Sequence, residues 1–245
     1  MNHNHFEAIQ TIQRLAYALS SSDYEKVDVS VHPPFTDLRS VQTVIEVDEL
    51  SLLLGAQHCH WEEKGAFTGE VSAGMLSKLN VKFVLAGHSE RRHVFNESNE
   101  NVNLKVKSIL AKEMIPILCV GETLEEREAG DTLSVVETQL KKGLDGVSSK
   151  AVGEMVVAYE PVWAIGTGKN ATPEDAQEVC SFIRAKVDEN WKSVGESVRI
   201  QYGGSVKGVN APDLMLQKDV DGLLVGGAAL DPDEFARIIR YHLLV

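Results

Sequence analysis

Seven short apolar runs recur along the chain, and this recurrence constrains the fold more than any other feature of the sequence. Most of the runs are continuous rather than alternating, and polar or glycine-rich segments separate them. Continuous apolar runs are typical of strands that are covered on both faces, as in parallel sheets. The predicted strands are 27–31, 52–56, 81–86, 115–120, 155–159, 198–202 and 220–225.

Amphipathic helices are predicted between these strands. Thr172 and Asp231 each stand before a proline and two acidic residues, which is the pattern of a helix N-terminus. Strict alternation of strand and helix allows a closed (β/α)8 barrel or an open doubly wound sheet. The length of 245 residues, with no linker or change of composition, favours the barrel, as one domain over residues 1–245.

A helix is also predicted ahead of the first strand. Phe6, Ile9, Ile12, Ala16 and Leu19 share one helical face, and no strand precedes them in the chain. The fold class predicted is therefore an α/β barrel of the (β/α)8 type that lacks its first strand, with seven strands and eight helices.

Charge and cysteine content limit the partners and the compartment. The chain has 36 acidic and 24 basic residues, a net charge of −12, so we expect no nucleic acid partner and no membrane partner. Cys59, Cys119 and Cys180 are far apart and lack CxxC spacing, which indicates free thiols. Without a signal-peptide pattern or a bilayer-length apolar stretch, the sequence predicts a cytoplasmic protein.

Glycine pairs follow the last two predicted strands. They are Gly203-Gly204, followed by Ser205, and Gly226-Gly227. Glycine lets the backbone approach a ligand, and backbone N–H groups at a loop or helix start bind oxyanions without a charged side chain. Either pair alone is equally compatible with a tight turn. The two pairs on adjacent strands favour a phosphate site, which suits an acidic protein with an anionic substrate.

Glu160 and His88 stand at the ends of two other predicted strands. A carboxylate beside a buried core has a raised pKa, which suits a general base, although a strand-end Glu can also be a surface residue. A histidine at a helix N-terminus is pushed toward neutrality and can donate a hydrogen bond, although it can also be purely structural. Glu90, Arg91 and Arg92 are interpreted as an ion-pair network that fixes this loop.

A metal site is the weaker hypothesis. The segment 58–60 (His-Cys-His) is too dense to place three ligands around one ion, and His3 and His5 lie near the terminus. The sequence predicts no metal and no cofactor.

Five strings in this order resemble triose-phosphate isomerases. The resemblance runs from Met1 to the C-terminus, and the first two strings below are the most specific. The strings are Gly87-His88-Ser89-Glu90-Arg91-Arg92, Ala158-Tyr159-Glu160-Pro161-Val162-Trp163-Ala164-Ile165-Gly166-Thr167-Gly168, Tyr202-Gly203-Gly204-Ser205, Gly65-Ala66-Phe67-Thr68-Gly69-Glu70 and Leu224-Val225-Gly226-Gly227-Ala228.

The resemblance implies a TIM barrel that interconverts dihydroxyacetone phosphate and D-glyceraldehyde 3-phosphate through an enediolate. Glu160 would be the base and His88 the neutral electrophile, as is usual in this family. Glu90 and Thr68 would support them, Thr68 by reaching across a homodimer interface formed by the 58–72 loop. The loop from Pro161 to about Ala171 would close over the substrate. The residues implied for phosphate binding are Gly166, Ser205, Gly226 and Gly227.

The sequence departs from the family at its start. The family opens with a strand that ends in Asn-Trp-Lys and is followed by Met-Asn, and Met1-Asn2 stands at that point here. The expected lysine would stabilise the developing enediolate charge, and losing it costs roughly 10²–10³ in rate. We hypothesise a start codon placed too late, and predict that an upstream extension supplies an apolar strand ending in lysine.

Two rival functions remain at this point. A different phosphosugar barrel enzyme would share the glycine pairs but should lack the His88 and Glu160 strings in combination. A phosphate-binding barrel that is weakly active or inactive, for instance because its first strand is missing, would bind substrate analogues without normal turnover.

Overall fold

The computed structural model describes residues 1–165 and 171–244, and its sheet has seven parallel strands. The strands follow chain order across the sheet, and each pairs with the next, for example Ala86 beside Leu118 and Tyr159 beside Tyr202. Every predicted run contains one of these strands, most of them shorter than the run. The strands are β1 (Ser30–Val31), β2 (Leu53–Ala56), β3 (Phe83–Ala86), β4 (Ile115–Val120), β5 (Val156–Tyr159), β6 (Arg199–Tyr202) and β7 (Gly222–Leu223).

Twelve α-helical segments lie within the described residues, more than the eight predicted. The additional ones are single turns, which are too short to show a helical period in the sequence. The segments are α1 (His5–Ala18), α2 (Ser21–Tyr24), α3 (Leu38–Val47), α4 (Ala73–Ser77), α5 (Ser89–His93), α6 (Asn99–Leu110), α7 (Leu124–Glu128), α8 (Thr132–Gly143), α9 (Ser149–Gly153), α10 (Pro173–Asn190), α11 (Ala211–Met215) and α12 (Pro232–Ile239).

The predicted helix starts are confirmed by their capping bonds. The Thr172 side chain accepts the backbone N–H of Asp175 at the start of α10. The Asp231 side chain accepts the N–H groups of Asp233 and Glu234 at the start of α12. In both helices the following proline occupies the first turn, where its missing N–H costs nothing.

Both faces of the central strands are covered, as the continuous apolar runs predict. Phe83 and Leu85 of β3 pack with Ile117 and Val156 in a cluster on the inner face of the curved sheet. The alternate residues, including Val84, join the larger core between the sheet and the helices. Side chains of successive strand residues point to opposite faces, so each strand contributes to both layers.

A seam separates the first and last strands. β1 pairs with β2 and β7 pairs with β6, and among the described strands none lies between β1 and β7. Helix α1 packs against both α3 and α12, the helices that follow those two strands. Arg14 pairs with Asp233 at 3.0 Å, so an ion pair reinforces the contact between α1 and α12. The prediction that the first strand of the barrel is missing is confirmed.

The N-terminal helix forms as predicted, but its buried face differs at one end. Ala8, Ile12 and Leu15 are the buried residues of α1, and Leu19 follows them into the core. The prediction for Phe6 was wrong, because 68% of this residue is exposed. It lies in the first turn of α1, where the helix extends past the neighbouring core.

The three cysteines are free and buried, which agrees with the prediction of unpaired thiols. Within residues 1–165 and 171–244, no group of three His, Cys, Asp or Glu side chains is placed to hold a metal ion. None of the helices in those ranges is long and apolar enough to cross a bilayer.

Candidate active site

His88 and Glu160 lie side by side at the carboxyl ends of the parallel strands. Glu160 directly follows β5, and His88 lies two residues beyond the end of β3, where it caps α5. The distance from His88 Nε2 to Glu160 Oε1 is 3.0 Å. Ligand sites in parallel barrels form at this end of the strands. The structure places both side chains at this end of the sheet.

The hydrogen bonds of His88 define its tautomer. Its Nδ1 accepts the backbone N–H of Glu90 at 3.3 Å, so this nitrogen carries no proton. The proton of a neutral imidazole must then be on Nε2, the nitrogen that faces Glu160. The ring can therefore donate a hydrogen bond into the site without being an imidazolium.

Glu160 is a buried carboxylate held by the start of α5. Only 2% of the residue is exposed. The Ser89 backbone N–H donates to Oε2 at 3.0 Å, and the Ser89 hydroxyl approaches Oε1 at 3.4 Å. Burial raises the pKa of the Glu160 carboxyl above its ordinary value, while His88 and the Ser89 N–H oppose that shift. A raised pKa brings a carboxyl closer to the range of an effective general base.

Two glycines provide the space that Glu160 occupies. A Cβ at Gly121 would lie 1.8 Å from the Glu160 carbonyl oxygen, which is a steric collision. A Cβ at Gly203 would lie 3.1 Å from Glu160 Cγ. A side chain at 203 would therefore press on the Glu160 side chain, and Gly203 leaves it room.

The two predicted glycine pairs follow neighbouring strands. Gly203-Gly204 follows β6 and Gly226-Gly227 follows β7, and these strands pair with each other. Gly226 and Gly227 are exposed, and a Cβ at either would meet no atom within 4 Å. Their backbones therefore face open space, which a ligand could fill. Ser205 lies in the loop after β6, and Gly166 lies outside the described residues.

Glu90 and Thr68 are not brought to the catalytic pair by side-chain contacts. The Glu90 side chain is exposed, and only its backbone N–H bonds to His88. Thr68 lies in an exposed stretch, 62–70. Among the described residues, no Lys or Arg side chain lies within ion-pair distance of Glu160.

Glu122, just after β4, is the centre of a hydrogen-bond network that was not predicted from the sequence. Glu122 is fully buried, and its Oε1 accepts the Trp163 indole N–H at 2.8 Å and the Tyr159 hydroxyl at 3.1 Å. Arg127 stacks over the Trp163 ring at 4.3 Å and pairs with Asp175 at 2.7 Å. These contacts anchor the start of the loop after Glu160. The one sequence feature that could have indicated this network is the position of Glu122, an acidic residue at the end of a predicted buried strand.

The loop after His88 is only partly the ion-pair network that the sequence predicts. Arg91 pairs with Glu97 at 2.6 Å, and Lys105 joins the same carboxylate. Arg92 does not belong to this network, and neither does Glu90. The Arg92 guanidinium bonds to backbone carbonyls, which have no sequence pattern, so the prediction for this residue was wrong.

Fold and site together define a class of protein. They describe a parallel α/β barrel with a buried carboxylate beside an imidazole at the carboxyl ends of its strands, an arrangement typical of enzymes that move protons. The family model described as triosephosphate isomerase matches residues 1–242 of the chain. The chain belongs to the triosephosphate isomerase family and is an aldose–ketose isomerase.

Individual relatives agree with this assignment over nearly the whole chain. The triosephosphate isomerase of Streptomyces avermitilis is 52% identical over 243 residues, which cover 99% of this chain and 94% of the relative. That of Corynebacterium efficiens is 54% identical over 239 residues, covering 97% and 91%. That of Saccharopolyspora erythraea is 53% identical over 239 residues, covering 97% and 92%.

Proposed function

We propose that Glu160 and His88 carry out the isomerisation as general base and neutral electrophile. The observation that supports this best is the geometry of the pair, in which a protonated Nε2 faces a desolvated carboxylate at 3.0 Å. The carboxylate can accept a carbon-bound proton, and the Nε2–H can polarise a carbonyl without giving up a full charge.

The proposed reaction moves one proton between two carbons. Glu160 removes a proton from C1 of dihydroxyacetone phosphate, and the C2 carbonyl becomes an oxyanion that His88 Nε2–H stabilises. The enediolate that results has its two oxygens on C1 and C2. The proton on Glu160 then returns to C2, a hydroxyl proton is redistributed between the oxygens, and the aldehyde forms at C1. No electron leaves the substrate, so no cofactor is required.

Substrate binding must exchange the present bonds of Glu160 for substrate contacts. The carboxylate is held by Ser89 and His88 in the structure. We propose that it rotates away from them toward the reacting carbons when the substrate enters. The space at Gly203, next to Glu160 Cγ, supports such a movement.

The phosphate of the substrate is proposed to bind at the glycine-rich loops after β6 and β7. The open faces of Gly226 and Gly227 support this, together with the position of Ser205 after the neighbouring strand. Backbone N–H groups bind a dianion without a cation. Gly166 completes the proposed set by family resemblance.

The loop from Pro161 to about Ala171 is proposed to cover the bound substrate. Its start is a short 3-10 turn, Val162–Ala164, that Trp163 attaches to Glu122. A cover keeps water from the enediolate, which would otherwise lose its phosphate. Residues 166–170 of this loop lie outside the described residues.

A homodimer through the 58–72 loop is also proposed. Phe67, in this loop, and Met75, three residues beyond it, are large apolar residues with 43% and 59% of their surface exposed. Exposed apolar surface of this kind supports an interface there. Thr68, in the same exposed loop, would then approach the site of the partner. A single domain over 1–245 and a cytoplasmic location remain predictions.

Two substitutions test the proposed roles. Glu160→Gln removes the base and His88→Gln removes the electrophile, while each keeps a side chain of similar size. We expect each to lower kcat by about 10²–10⁴ and to leave the affinity for inorganic phosphate, which reports the phosphate site alone, within about threefold. Equal turnover of either variant and the unmodified chain would contradict the assignment.

A further inference from the structure

Arg92 makes contacts that set it apart from the other charged residues of its loop. It lies near the end of α5 and is only partly exposed. Its Nε donates to the Gly87 carbonyl at 2.7 Å, its Nη2 to the Cys119 carbonyl at 3.0 Å, and its Nη1 to Asn99 Oδ1 at 2.7 Å. Within the described ranges it forms no ion pair with a carboxylate, so carbonyls and an amide satisfy its donors.

The two carbonyls belong to the ends of adjacent strands. Pairing of β3 with β4 is observed through Ala86 and Leu118. Gly87 and Cys119 are the next residue on each strand, just beyond that pair. The guanidinium therefore joins the two chains where their mutual pairing stops.

Each of these strand ends leads to one member of the catalytic pair. Gly87 directly precedes His88. Cys119 contacts Glu160 through its thiol, and the carbonyl of the next residue, Val120, accepts the Glu160 backbone N–H at 2.8 Å. A change in the spacing between the two strand ends would thus change the distance between His88 and Glu160.

Backbone and side-chain hydrogen bonds both hold Arg92 against the segment that contains His88. Its own N–H donates to the His88 carbonyl at 3.0 Å, within α5. Gly87 has a φ of +77°, and a Cβ there would lie 2.6 Å from Arg92 Nη2. The guanidinium therefore packs directly on the glycine that precedes His88, and a residue with a side chain at 87 would displace it.

Only a guanidinium can make this set of contacts. Its donors lie in one plane at fixed angles, so Nε and Nη2 can each hold a different carbonyl at the same time. A lysine ammonium is a point charge on a flexible side chain, and it could not hold both carbonyls at the same time. Hydrogen bonds from a charged donor are also shorter and stronger than those between neutral groups.

We propose that Arg92 is a positioning residue for the isomerisation. It fixes the ends of β3 and β4 so that His88 Nε2 and the Glu160 carboxylate remain within reach of the same substrate. This inference rests on the roles proposed above for His88 and Glu160. Arg92 itself does not touch the reacting atoms.

The neighbouring arginine provides a matched control. Arg91 lies on the same helix, pairs with Glu97 at 2.6 Å, and stacks on the Phe95 ring at 4.4 Å. It contacts neither strand end. Arg91→Lys and Arg92→Lys therefore make the same chemical change one residue apart. Only Arg92→Lys removes the hydrogen bonds to the Gly87 and Cys119 carbonyls.

The first test compares turnover and binding in these two variants. We expect Arg92→Lys to lower kcat by about 10²-fold with KM changed less than about threefold, because a misplacement on the order of 1 Å costs this much in rate. Arg91→Lys should remain within about threefold in both constants, since a lysine keeps the charge opposite Glu97 and neither strand end loses a contact. Equal kcat losses in the two variants, or a loss confined to KM, would overturn the proposal.

The second test does not depend on turnover. Ser89 donates its amide to Glu160, so hydrogen exchange of that amide reports the alignment of the two strand ends. We expect Arg92→Lys to accelerate Ser89 exchange at least tenfold more than it accelerates exchange in the distant helix α10. If Ser89 exchange is unchanged, or rises only as much as exchange in α10, the residue is merely structural and the proposal fails.

These readouts separate the inference from the function on which it rests. A wild-type chain that does not isomerise dihydroxyacetone phosphate would overturn the proposed roles of His88 and Glu160, and Ser89 exchange would still decide whether Arg92 aligns the strand ends. If Arg92→Lys does not fold, Asn99→Ala takes its place, because it removes the amide oxygen that orients the guanidinium plane and so weakens the bonds to both carbonyls. We expect faster Ser89 exchange in that variant too, and unchanged exchange would overturn the proposal.

Discussion

The Ser89 backbone N–H donates to Glu160 Oε2 at 3.0 Å, so the residue next to one proposed catalytic side chain holds the other. His88, Ser89 and Glu160 thereby form one connected unit across two strands that are not neighbours in the sheet. The distance between base and electrophile is set by the backbone at the start of α5. This explains why small changes in side-chain length should have large effects on rate.

Shortening the base by one methylene tests this dependence. Glu160→Asp keeps the charge but withdraws the carboxylate by more than 1 Å, so we expect kcat to fall about 10²-fold with little change in KM. Steady-state kinetics in both directions of the isomerisation check this. A loss of less than about threefold would show that the position of the carboxylate is not critical.

Activity should depend on the raised pKa of Glu160. The base must be ionised, so kcat/KM should fall as the pH drops through the Glu160 pKa, which burial places above the ordinary carboxyl value. We expect the acidic limb of the pH profile at a higher pH than about 4.3, the ordinary value for Glu. A limb at or below that value would contradict the effect of burial.

The same group should reduce stability at neutral pH. A carboxyl whose folded pKa is raised favours the folded state when protonated, and that contribution is lost as the pH rises through the folded pKa. Glu160→Gln should therefore unfold at a higher temperature than the unmodified chain at pH 8, because the amide stays neutral in the buried site. The gain should disappear near pH 4, and an equal gain at both pH values would contradict this explanation.

The meeting of His88 and Glu160 at one end of the sheet was predictable because each residue stands at the end of a strand, in a string that resembles one family. The positions of Ser89 and Cys119 against Glu160 were not predictable in the same way. They depend on the register of β3, β4 and β5, which the sequence of any one strand does not define. Arg92 was misassigned for a related reason, because a bond to a backbone carbonyl can form beside any residue type.

The limits of the seven strands were predictable only approximately. The apolar run at 220–225 continues past β7 (Gly222–Leu223), since Leu224 packs on the inner core without being part of that strand. Burial and strand pairing both favour apolar residues, so hydrophobicity alone cannot mark where pairing stops. Phe6 fits the helical spacing of apolar residues in α1, but it is exposed because no described element covers the first turn of that helix at this position.

Substitution by alanine should have different effects on stability and on KM at two glycines of the site. Gly226→Ala meets open space, so its methyl group should obstruct the phosphate and raise KM about tenfold, while the backbone angles of this residue (φ −90°, ψ −112°) should lower the melting temperature slightly. Gly121→Ala collides with the Glu160 backbone and should destabilise the fold by about 3 kcal/mol. Thermal denaturation and KM for dihydroxyacetone phosphate check the pair, and an unchanged KM in Gly226→Ala would contradict the proposed phosphate site.

The open seam predicts a weakened enzyme. Neither β1 nor β7 has a second strand partner among the described residues, and no Lys or Arg lies within ion-pair distance of Glu160 there. We expect a purified protein of these 245 residues to turn over about 10²–10³-fold more slowly than the Streptomyces avermitilis relative, because no described cation is placed to stabilise the developing enediolate charge. A direct comparison of kcat checks this, and an equal rate would show that Glu160 and His88 need no such cation.

A buried ion pair near the seam should make stability depend on pH. Asp23, in α2, pairs with Arg240 just after α12 at 2.8 Å, and 4% of the Asp23 side chain is exposed. The Arg240 guanidinium holds the pKa of the Asp23 carboxyl well below its usual range, so its stabilisation is present above about pH 4 and is lost as the pH falls further. Asp23→Asn should lower the free energy of unfolding by about 1–3 kcal/mol at pH 7 and by less at pH 3. The loss is smaller than for a fully buried pair because one-third of the Arg240 side chain is exposed.

The exposed pair between Arg14 and Asp233 provides a control. Arg14→Gln breaks it and should lower the free energy of unfolding by no more than about 0.5 kcal/mol. Denaturant unfolding of the two variants at both pH values therefore isolates the effect of burial. An equal loss for Asp23→Asn at pH 7 and pH 3 would mean that packing, and not the charge of Asp23, is what stabilises this end of the barrel.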